Sequence, residues 1–265
     1  MNRRRRDLLT AALGAALPWP LRAQPAPAAR VVIIGGGFGG ASCARTLRRV
    51  SPQVQVTLIE PRAHFYTGPS TNAAVTGACA TGDIVQSPAG LRDVGVDWIQ
   101  DRVTGIDPVA RRVHTAGGLR LQADRLVVSP GVEMRWDLIE GLDAEVSRGM
   151  PHAWLGDAQV PALRARMAAL DDGATIAISA PANPYRCPPG PYERASLGAG
   201  FLSRHKPRAK LLVLDSNERF SKQALFQRDW AARHGNRLEW RGASDDGRVT
   251  RVDAKSMRIF TDFED

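Results

Sequence analysis

The stretch that decides the fold is VVIIGGGFGG, residues 31–40. Its apolar run, Val31–Ile34, is typical of a strand buried on both faces of a parallel sheet. The turn after it satisfies G-x-G-x-x-G with Gly35, Gly37 and Gly40. These glycines permit a tight turn, close approach of a pyrophosphate to the backbone, and close packing of the next helix on the strand. A pyrophosphate here would lie at a helix N-terminus, which favours negative charge.

The residues after the turn complete a strand–helix–strand unit. Ala41–Arg49 predicts the helix and Val54–Ile59 the second strand. Glu60 ends that strand, 20 residues after Gly40, where it can accept hydrogen bonds from the ribose hydroxyls of an adenosine. An acid at this position argues against the 2′-phosphate of NADP. The motif alone does not distinguish FAD from NAD as the bound dinucleotide.

A later strand favours FAD. Leu126–Gly131 is an apolar run that ends in Ser-Pro-Gly, which is how flavoproteins with two dinucleotide-binding domains return their chain to the FAD domain. An ordinary buried strand with a turn would look the same. We predict FAD contacts at Gly35, Gly36, Gly37, Phe38, Gly39, Gly40, Glu60, Pro61, Val103, Ser129 and Gly131.

A second unit of the same kind begins near residue 174. Ala174–Ser179 predicts a strand, residues 192–204 a helix and Leu211–Asp215 another strand, and further helices are expected at 83–94 and Pro161–Leu170. The predicted class is α/β, a Rossmann-like fold with two dinucleotide-binding domains; that it is incomplete at the C-terminus is implied by the family resemblance given below. Residues 29–160 would form the first part of the FAD-binding domain, and 161–265 a second nucleotide-binding-like domain without a glycine fingerprint.

Composition and charge fit an ordinary globular protein, with 43% hydrophobic residues. The net charge is +9, and five arginines against one aspartate in the first 23 residues supply nearly half of it. Because the other basic residues are spread without aromatic interleaving, we expect no nucleic-acid partner. The five histidines are isolated from one another, so no metal site is expected.

The N-terminus resembles an export signal. Arg3–Arg6 is followed by a short apolar run, Leu8–Leu17, and by small residues that offer cleavage sites near Ala23. The run is too short to cross a bilayer, and Arg5-Arg6 followed by Asp7-Leu8-Leu9 fits the twin-arginine pattern. Residues 1–28 are therefore expected to be a twin-arginine-type signal and linker, with the mature chain in a bacterial periplasm. An uncleaved basic tail is the alternative.

The second unit carries a proline-rich loop where a glycine turn would be, residues 180–191. Proline cannot donate backbone N–H groups, so a pyrophosphate cradle, and with it use of NAD(P)H, is not expected. The loop does carry Cys187, beside Arg186 and just before the helix predicted from Tyr192. A helix N-terminus and a neighbouring cation both favour thiolate, the reactive form of cysteine. A buried structural cysteine is the alternative reading.

Several segments resemble the flavoprotein subunit of flavocytochrome c sulfide dehydrogenase. The most specific is RCPPGPYERAS, residues 186–196, and the others are Val31–Gly40, Thr57–Pro61, Phe65–Thr67, Leu126–Gly131, Met150–Trp154 and Phe220–Gln223. The resemblance implies a periplasmic FAD protein that oxidises sulfide and passes electrons to a c-type cytochrome subunit. It also implies that the cysteine matching Cys187 belongs to a redox-active disulfide beside the flavin, which sulfide attacks to give a persulfide.

The chain departs from that family at two points. Gly68 stands where members commonly attach FAD through a cysteine, so we expect noncovalent FAD. The chain also stops at Asp265, before the part in which the family carries its second redox cysteine. Cys43 is expected in the core and Cys79 in a loop, and neither is an obvious substitute. Two other functions therefore stay open: an inactive FAD-binding paralogue, and a quinone- or NAD(P)H-linked flavoenzyme.

Overall fold

The structure, a computed structural model, describes residues 28–262. Its first unit is built on a four-stranded parallel sheet in the order β5-β2-β1-β9. The elements up to residue 128 are β1 (Ala29–Ile34), α1 (Phe38–Val50), β2 (Val54–Ile59), β3 (Phe65–Tyr66), α2 (Thr71–Thr76), β4 (Val85–Gln86), α3 (Ala89–Arg92), β5 (Asp97–Ile99), β6 (Val103–Asp107), β7 (Arg112–Thr115), β8 (Arg120–Gln122) and β9 (Arg125–Val128).

The second unit has a three-stranded parallel sheet in the order β10-β11-β12 and a separate hairpin, β13-β14. Its elements are α4 (Val146–Gly149), α5 (Gln159–Ala169), β10 (Thr175–Ala180), α6 (Gly190–His205), β11 (Lys210–Asp215), α7 (Gln223–Arg233), β12 (Leu238–Arg241), β13 (Val249–Asp253) and β14 (Arg258–Thr261). Single 3₁₀ turns lie at Thr81–Ile84, Trp136–Leu138, Gly235–Arg237 and Ala243–Asp245.

Alternation along β1 explains how the first sheet is covered on both faces. Val31 and Ile33 pack with α1, and Val32 and Ile34 pack against the small antiparallel sheet β6-β7-β8. Successive side chains of a strand point to opposite faces, so one apolar run serves two cores. Ile33 is completely buried, and burial of such a side chain stabilises the fold by about 1.5–3 kcal/mol.

The second unit has its own core, and α2 joins the two units. Ala195, Ala199 and Leu202 on one face of α6 pack against β11 and α7. The short helix α2 packs against both α5 and α6. Through α2 the first unit is therefore packed against α5 and α6 of the second.

The α/β fold with parallel sheets is confirmed, and one predicted helix is wrong. Residues 83–94 form a 3₁₀ turn, the two-residue strand β4 and the four-residue helix α3. Pro88 interrupts the run, because the residue before a proline is disfavoured in helical conformation. Helix α1 begins at Phe38, earlier than predicted, because the second half of the glycine turn is already helical.

Candidate cofactor and cysteine site

The glycine turn is held by contacts that leave no room for side chains. Gly35 has a φ of +98°, a conformation that favours glycine. A β-carbon on Gly35 would collide with the Ser129 carbonyl, and one on Gly40 would collide with the Gly35 carbonyl. A β-carbon on Gly39 would lie 2.6 Å from the Ser129 hydroxyl. Glycine at these positions is what lets β1, α1 and the end of β9 meet.

The N-terminus of α1 is open to an anion. The helix begins after Gly37, with no side-chain cap and no acidic residue in its first turn. A β-carbon on Gly37 would meet only the Phe65 ring, at 3.6 Å. The first amides of a helix have no partner within it, so these are available to a phosphate. Together with the helix dipole, they fit the pyrophosphate of a dinucleotide.

Glu60 is buried at the end of β2 and is fixed to the glycine turn. Its Oε2 accepts the Gly36 amide N–H at 2.8 Å, and its Oε1 accepts Arg62 Nε at 2.7 Å. Burial raises the pKa of Glu60, but the hydrogen bonds from the Arg62 side chain and from the Gly36 and Arg62 amides outweigh it. The pKa therefore lies below its ordinary value, and the side chain is a carboxylate at neutral pH.

A cleft of about 380 Å³ adjoins this carboxylate. Gly36, Gly37, Phe38, Arg45, Glu60, Arg62 and Trp98 are among the residues that line it. Trp98 Nε1 is buried and has no hydrogen-bond partner in the described part of the chain. Buried polar groups are normally paired, so this donor indicates that an acceptor belongs in the cleft. The cleft, the open amides and Glu60 fit the ADP half of a dinucleotide.

Cys187 lies on the loop before α6 with its side chain exposed. Its φ is +59°, and its carbonyl accepts the Gly190 N–H at 2.8 Å. A left-handed conformation at a non-glycine residue costs about 1–3 kcal/mol, and such residues often occur at functional sites. The helix begins at Gly190, two residues earlier than predicted, so the thiol is close to its positive end.

The cysteine loop meets the loop that follows β3. The Arg186 guanidinium lies over Gly68, where a β-carbon would be 3.1 Å from Arg186 Nη2. Asn72 Nδ2 in α2 donates to the Gly190 carbonyl at 3.3 Å. Cys187 is therefore anchored to the first unit, the one that carries the glycine turn.

Comparison with known proteins gives two family matches that together span nearly all of the described chain. Residues 29–155 match the pyridine nucleotide-disulphide oxidoreductase family, and 160–265 match the central region of the sulfide dehydrogenase [flavocytochrome c] flavoprotein chain. The flavoprotein chain of sulfide dehydrogenase from Chlorobaculum thiosulfatiphilum is 57% identical over 44 residues, which are 17% of this chain and 92% of that relative. The chain belongs to the sulfide dehydrogenase flavoprotein family.

The names of other relatives give quinone as the electron acceptor, in place of a cytochrome. The sulfide-quinone reductase of Aquifex aeolicus is 33% identical over 108 residues, 40% of this chain and 25% of that protein. The solved structure of the Aquifex aeolicus sulfide:quinone oxidoreductase superposes with a TM-score of 0.65 at 22% identity, covering 85% of this chain and 53% of that one. The chain thus spans about half the length of that structure, and the likeness shows a shared fold.

The remaining predicted FAD residues of this flavoprotein are Ser129, Gly131, Pro61 and Val103, and they lie in different surroundings. Ser129 donates its amide to the Ile34 carbonyl at 2.8 Å, and Gly131 has a φ of +82°. Pro61 follows Glu60 at the surface. Val103 packs its side chain in the core below the sheet, outside the cleft lining. Contact of these four residues with FAD stays a prediction, as it does for Gly35–Gly40 and Glu60.

The corresponding acid of the second unit, Asp215, is completely buried at the end of β11. Its Oδ2 accepts the Tyr192 hydroxyl at 2.6 Å and Trp240 Nε1 at 2.9 Å. Its Oδ1 accepts the amide and the side-chain nitrogen of Asn217, at 3.0 and 2.8 Å. Asp215 is completely buried among these donors, so its oxygens are closed to ribose hydroxyls.

An aromatic cluster fills the space next to Asp215. Tyr192 stacks on Phe220 with ring centroids 3.7 Å apart, and Phe226 and Trp230 pack around them. The Tyr192 hydroxyl also contacts that of Tyr185 at 3.3 Å, and Tyr185 donates to the Pro188 carbonyl at 3.0 Å. The second unit therefore has a closed core where a dinucleotide site would be open.

The other two cysteines are half-buried, Cys43 on α1 and Cys79 in the loop after α2. Between residues 28 and 262, no group of three or more histidine, cysteine, aspartate or glutamate side chains could hold a metal ion. No described helix is long and apolar enough to span a bilayer. The twin-arginine prediction lies outside the described residues.

Sequence reasoning missed two polar groups of this region, Trp98 and Arg62, and it missed the burial of Arg194. Arg62 could have been found, because it lies two residues after the acid that ends β2. The orphan donor of Trp98 and the burial of Arg194 depend on tertiary packing and have no local signal.

Proposed function

We propose that this chain is an FAD-dependent oxidoreductase that oxidises sulfide in the periplasm and passes the electrons to a c-type cytochrome. The observation that carries the proposal is the exposed thiol of Cys187, held at the N-terminus of α6 against the loop that contains Gly68. The family match over residues 160–265 supports the same reaction.

The first unit would bind FAD, and Cys187 of the second unit would react with sulfide. The amides of α1 and the carboxylate of Glu60 would hold the ADP half of FAD, with Trp98 donating to it. When bound, FAD supplies a two-electron acceptor. Cys187 would form the bond to the substrate sulfur, with the two electrons released in that step passing to FAD, because its thiol is exposed just before α6. The closed second unit argues against NAD(P)H as the donor.

FAD is proposed to bind without a covalent bond to the protein. Gly68 has no side chain to form a thioether, and its α-carbon is covered by Arg186. Retention would then depend on the glycine turn and Glu60. Precipitating the yellow protein with acid should leave the flavin in the supernatant, and flavin that remains in the pellet would contradict the proposal.

Sulfide titration of the purified protein tests the activity. We expect anaerobic sulfide to bleach the flavin absorbance, and Cys187→Ser to lower the rate at least about 100-fold. Cys79→Ser is the control, because it removes a half-buried thiol elsewhere, and it should reduce flavin within about twofold of the rate of the unaltered protein. A preparation that binds no flavin would overturn the proposal. Flavin that sulfide does not reduce would favour the inactive paralogue.

A quinone acceptor is the second candidate, because relatives at 30% and 33% identity are named sulfide:quinone oxidoreductase and sulfide-quinone reductase. Cytochrome c and a short-chain ubiquinone can be compared under identical conditions, with sulfide as the donor. Faster turnover with cytochrome c supports the first proposal, and faster turnover with quinone supports the second.

The periplasmic location rests on residues 1–28 alone. Fusing this segment to a reporter that requires twin-arginine export should place the reporter in the periplasm. Replacing Arg5 and Arg6 by lysine should abolish that export.

A further inference from the structure

Arg194 is a buried cation in the first half of α6. Only 7% of the residue is exposed. Its Nε donates to Asn72 Oδ1 at 2.7 Å, its Nη1 donates to the His152 carbonyl, and its guanidinium lies 3.4 Å from the centre of the Trp154 ring. All three partners are neutral. The guanidinium is held firmly in place, but its charge is not neutralised by them.

No carboxylate in the described chain forms a salt bridge with Arg194. Burial lowers the pKa of Arg194 to about 9, an effect that the nearby Glu193 only partly offsets, so the group remains charged at neutral pH. Its Nη2 is buried and has no partner among residues 28–262. A charged donor left unpaired in the interior is costly, so its retention indicates that an acceptor binds there.

His152 supplies a second unpaired donor in the same network. Its Nδ1 accepts the Trp154 amide N–H at 3.0 Å, so the neutral ring carries its proton on Nε2. Burial and the charge of Arg194 lower the pKa of His152 to about 4, so the ring is neutral at pH 7. Nε2 is also buried without a partner in the described chain. Two N–H donors and one uncompensated positive charge are thus linked through the His152 carbonyl.

Trp154 connects this network to the cysteine. A β-carbon built on Gly190 would lie 3.4 Å from Cys187 Sγ and 3.6 Å from Trp154 Cζ3. The thiol and the edge of the ring that carries Arg194 therefore flank the same point, at the first residue of α6. The helix dipole adds positive potential there.

We propose that Arg194 and His152 form a binding site for a small monoanion beside Cys187. The inference rests on the proposed function for the identity of that anion, which would be hydrosulfide, the ionised form of the substrate. A small size follows from the burial of both donors, and a single charge follows from one guanidinium opposite a neutral imidazole. The site would concentrate hydrosulfide next to the thiol.

Differential alkylation of Cys187 tests the site without sulfide or flavin reduction. Iodoacetate and iodoacetamide have similar size and differ by one negative charge, and peptide mass spectrometry separates Cys187 from Cys43 and Cys79. We expect Arg194→Met to lower the iodoacetate-to-iodoacetamide rate ratio by roughly fivefold. Arg204→Met, which removes a charge from the last turn of the same helix, should leave the ratio unchanged.

Azide, a redox-inert monoanion, provides a test on the unaltered chain. At constant ionic strength it should slow iodoacetate alkylation of Cys187 in a saturable manner. His152→Leu keeps the backbone carbonyl to which Arg194 donates, and it should weaken azide protection about threefold. This variant tests the site even if Arg194→Met does not fold. An unchanged ratio in Arg194→Met, or non-saturable azide protection in the unaltered chain, would overturn the site. If only the proposed function fails, Arg194→Met should still lower the iodoacetate-to-iodoacetamide rate ratio, but sulfide should not reduce the flavin of the unaltered chain.

Discussion

Arg186 covers the α-carbon of Gly68, with its Nη2 3.1 Å from the position of a β-carbon. This contact joins the loop after β3 to the cysteine loop of the second unit. The atom that approaches is the far end of a flexible side chain, which can move at little cost. Gly68→Ala should therefore change the free energy of unfolding by less than about 1 kcal/mol and leave the flavin content unchanged. Urea unfolding and the absorbance ratio at 450 and 280 nm measure both, and loss of flavin would show that Arg186 must hold this position.

Gly40→Ala should behave very differently. The new β-carbon would collide with the Gly35 carbonyl, a backbone atom that cannot move without displacing the turn. We expect a loss of about 2–3 kcal/mol in stability and of most bound flavin. Gly82→Ala is the matched control, because no atom lies within 4 Å of its β-carbon position. Stoichiometric flavin in Gly40→Ala would refute the assignment of this turn as the pyrophosphate site.

Glu60→Gln tests the buried carboxylate and its pH dependence. The folded-state pKa of Glu60 is lowered from its ordinary value of 4.5, so its stabilising effect is fully present above that pH and is lost as the pH falls through the folded-state pKa. The variant should be less stable by about 1–2 kcal/mol at pH 7, and the difference should shrink below pH 4.5. Urea unfolding of both proteins between pH 3 and 7 measures it, and a difference that grows on acidification would contradict the assignment.

Asp215→Asn tests the closed core of the second unit. The amide would present N–H groups to donors that now bond a carboxylate, among them Tyr192 and Trp240. We expect a loss of about 3 kcal/mol, against less than about 0.5 kcal/mol for Asp137→Asn, an exposed control. The unaltered chain should show no saturable NADH oxidation, and saturable oxidation would show that the second unit binds a nicotinamide cofactor after all.

The sequence was most informative where backbone geometry demands one residue type. Gly35 and Gly40 predict the turn because only glycine fits there, and the apolar run of Val31–Ile34 predicts a strand buried on both faces. The helix expected at 83–94 failed because apolar spacing was followed across Pro88. The prediction gave more weight to the apolar spacing of this segment than to its proline, but it is the proline that interrupts the predicted helix.

The residues of the candidate site also fall into two groups, those that the sequence identifies and those that only the packing reveals. Glu60 and Cys187 lie at fixed distances from recognisable motifs, so the sequence identifies them. Arg194 looks like any helical arginine, and its importance comes from Asn72, His152 and Trp154, which other segments bring to it. Burial of a polar side chain is decided by packing between units, and no single stretch of sequence encodes it.

A line of polar contacts runs from Asp215 through the hydroxyls of Tyr192 and Tyr185 and ends on the carbonyl of Pro188, next to Cys187. In a nucleotide-binding domain this edge of the sheet must stay hydrated and open so that a ligand can enter and leave. Here Asp215 and Tyr192 are completely buried at that edge, and Tyr185 carries the contacts on to the cysteine loop. The polar groups that would bind a nucleotide in another domain of this kind are here part of the support of the cysteine loop.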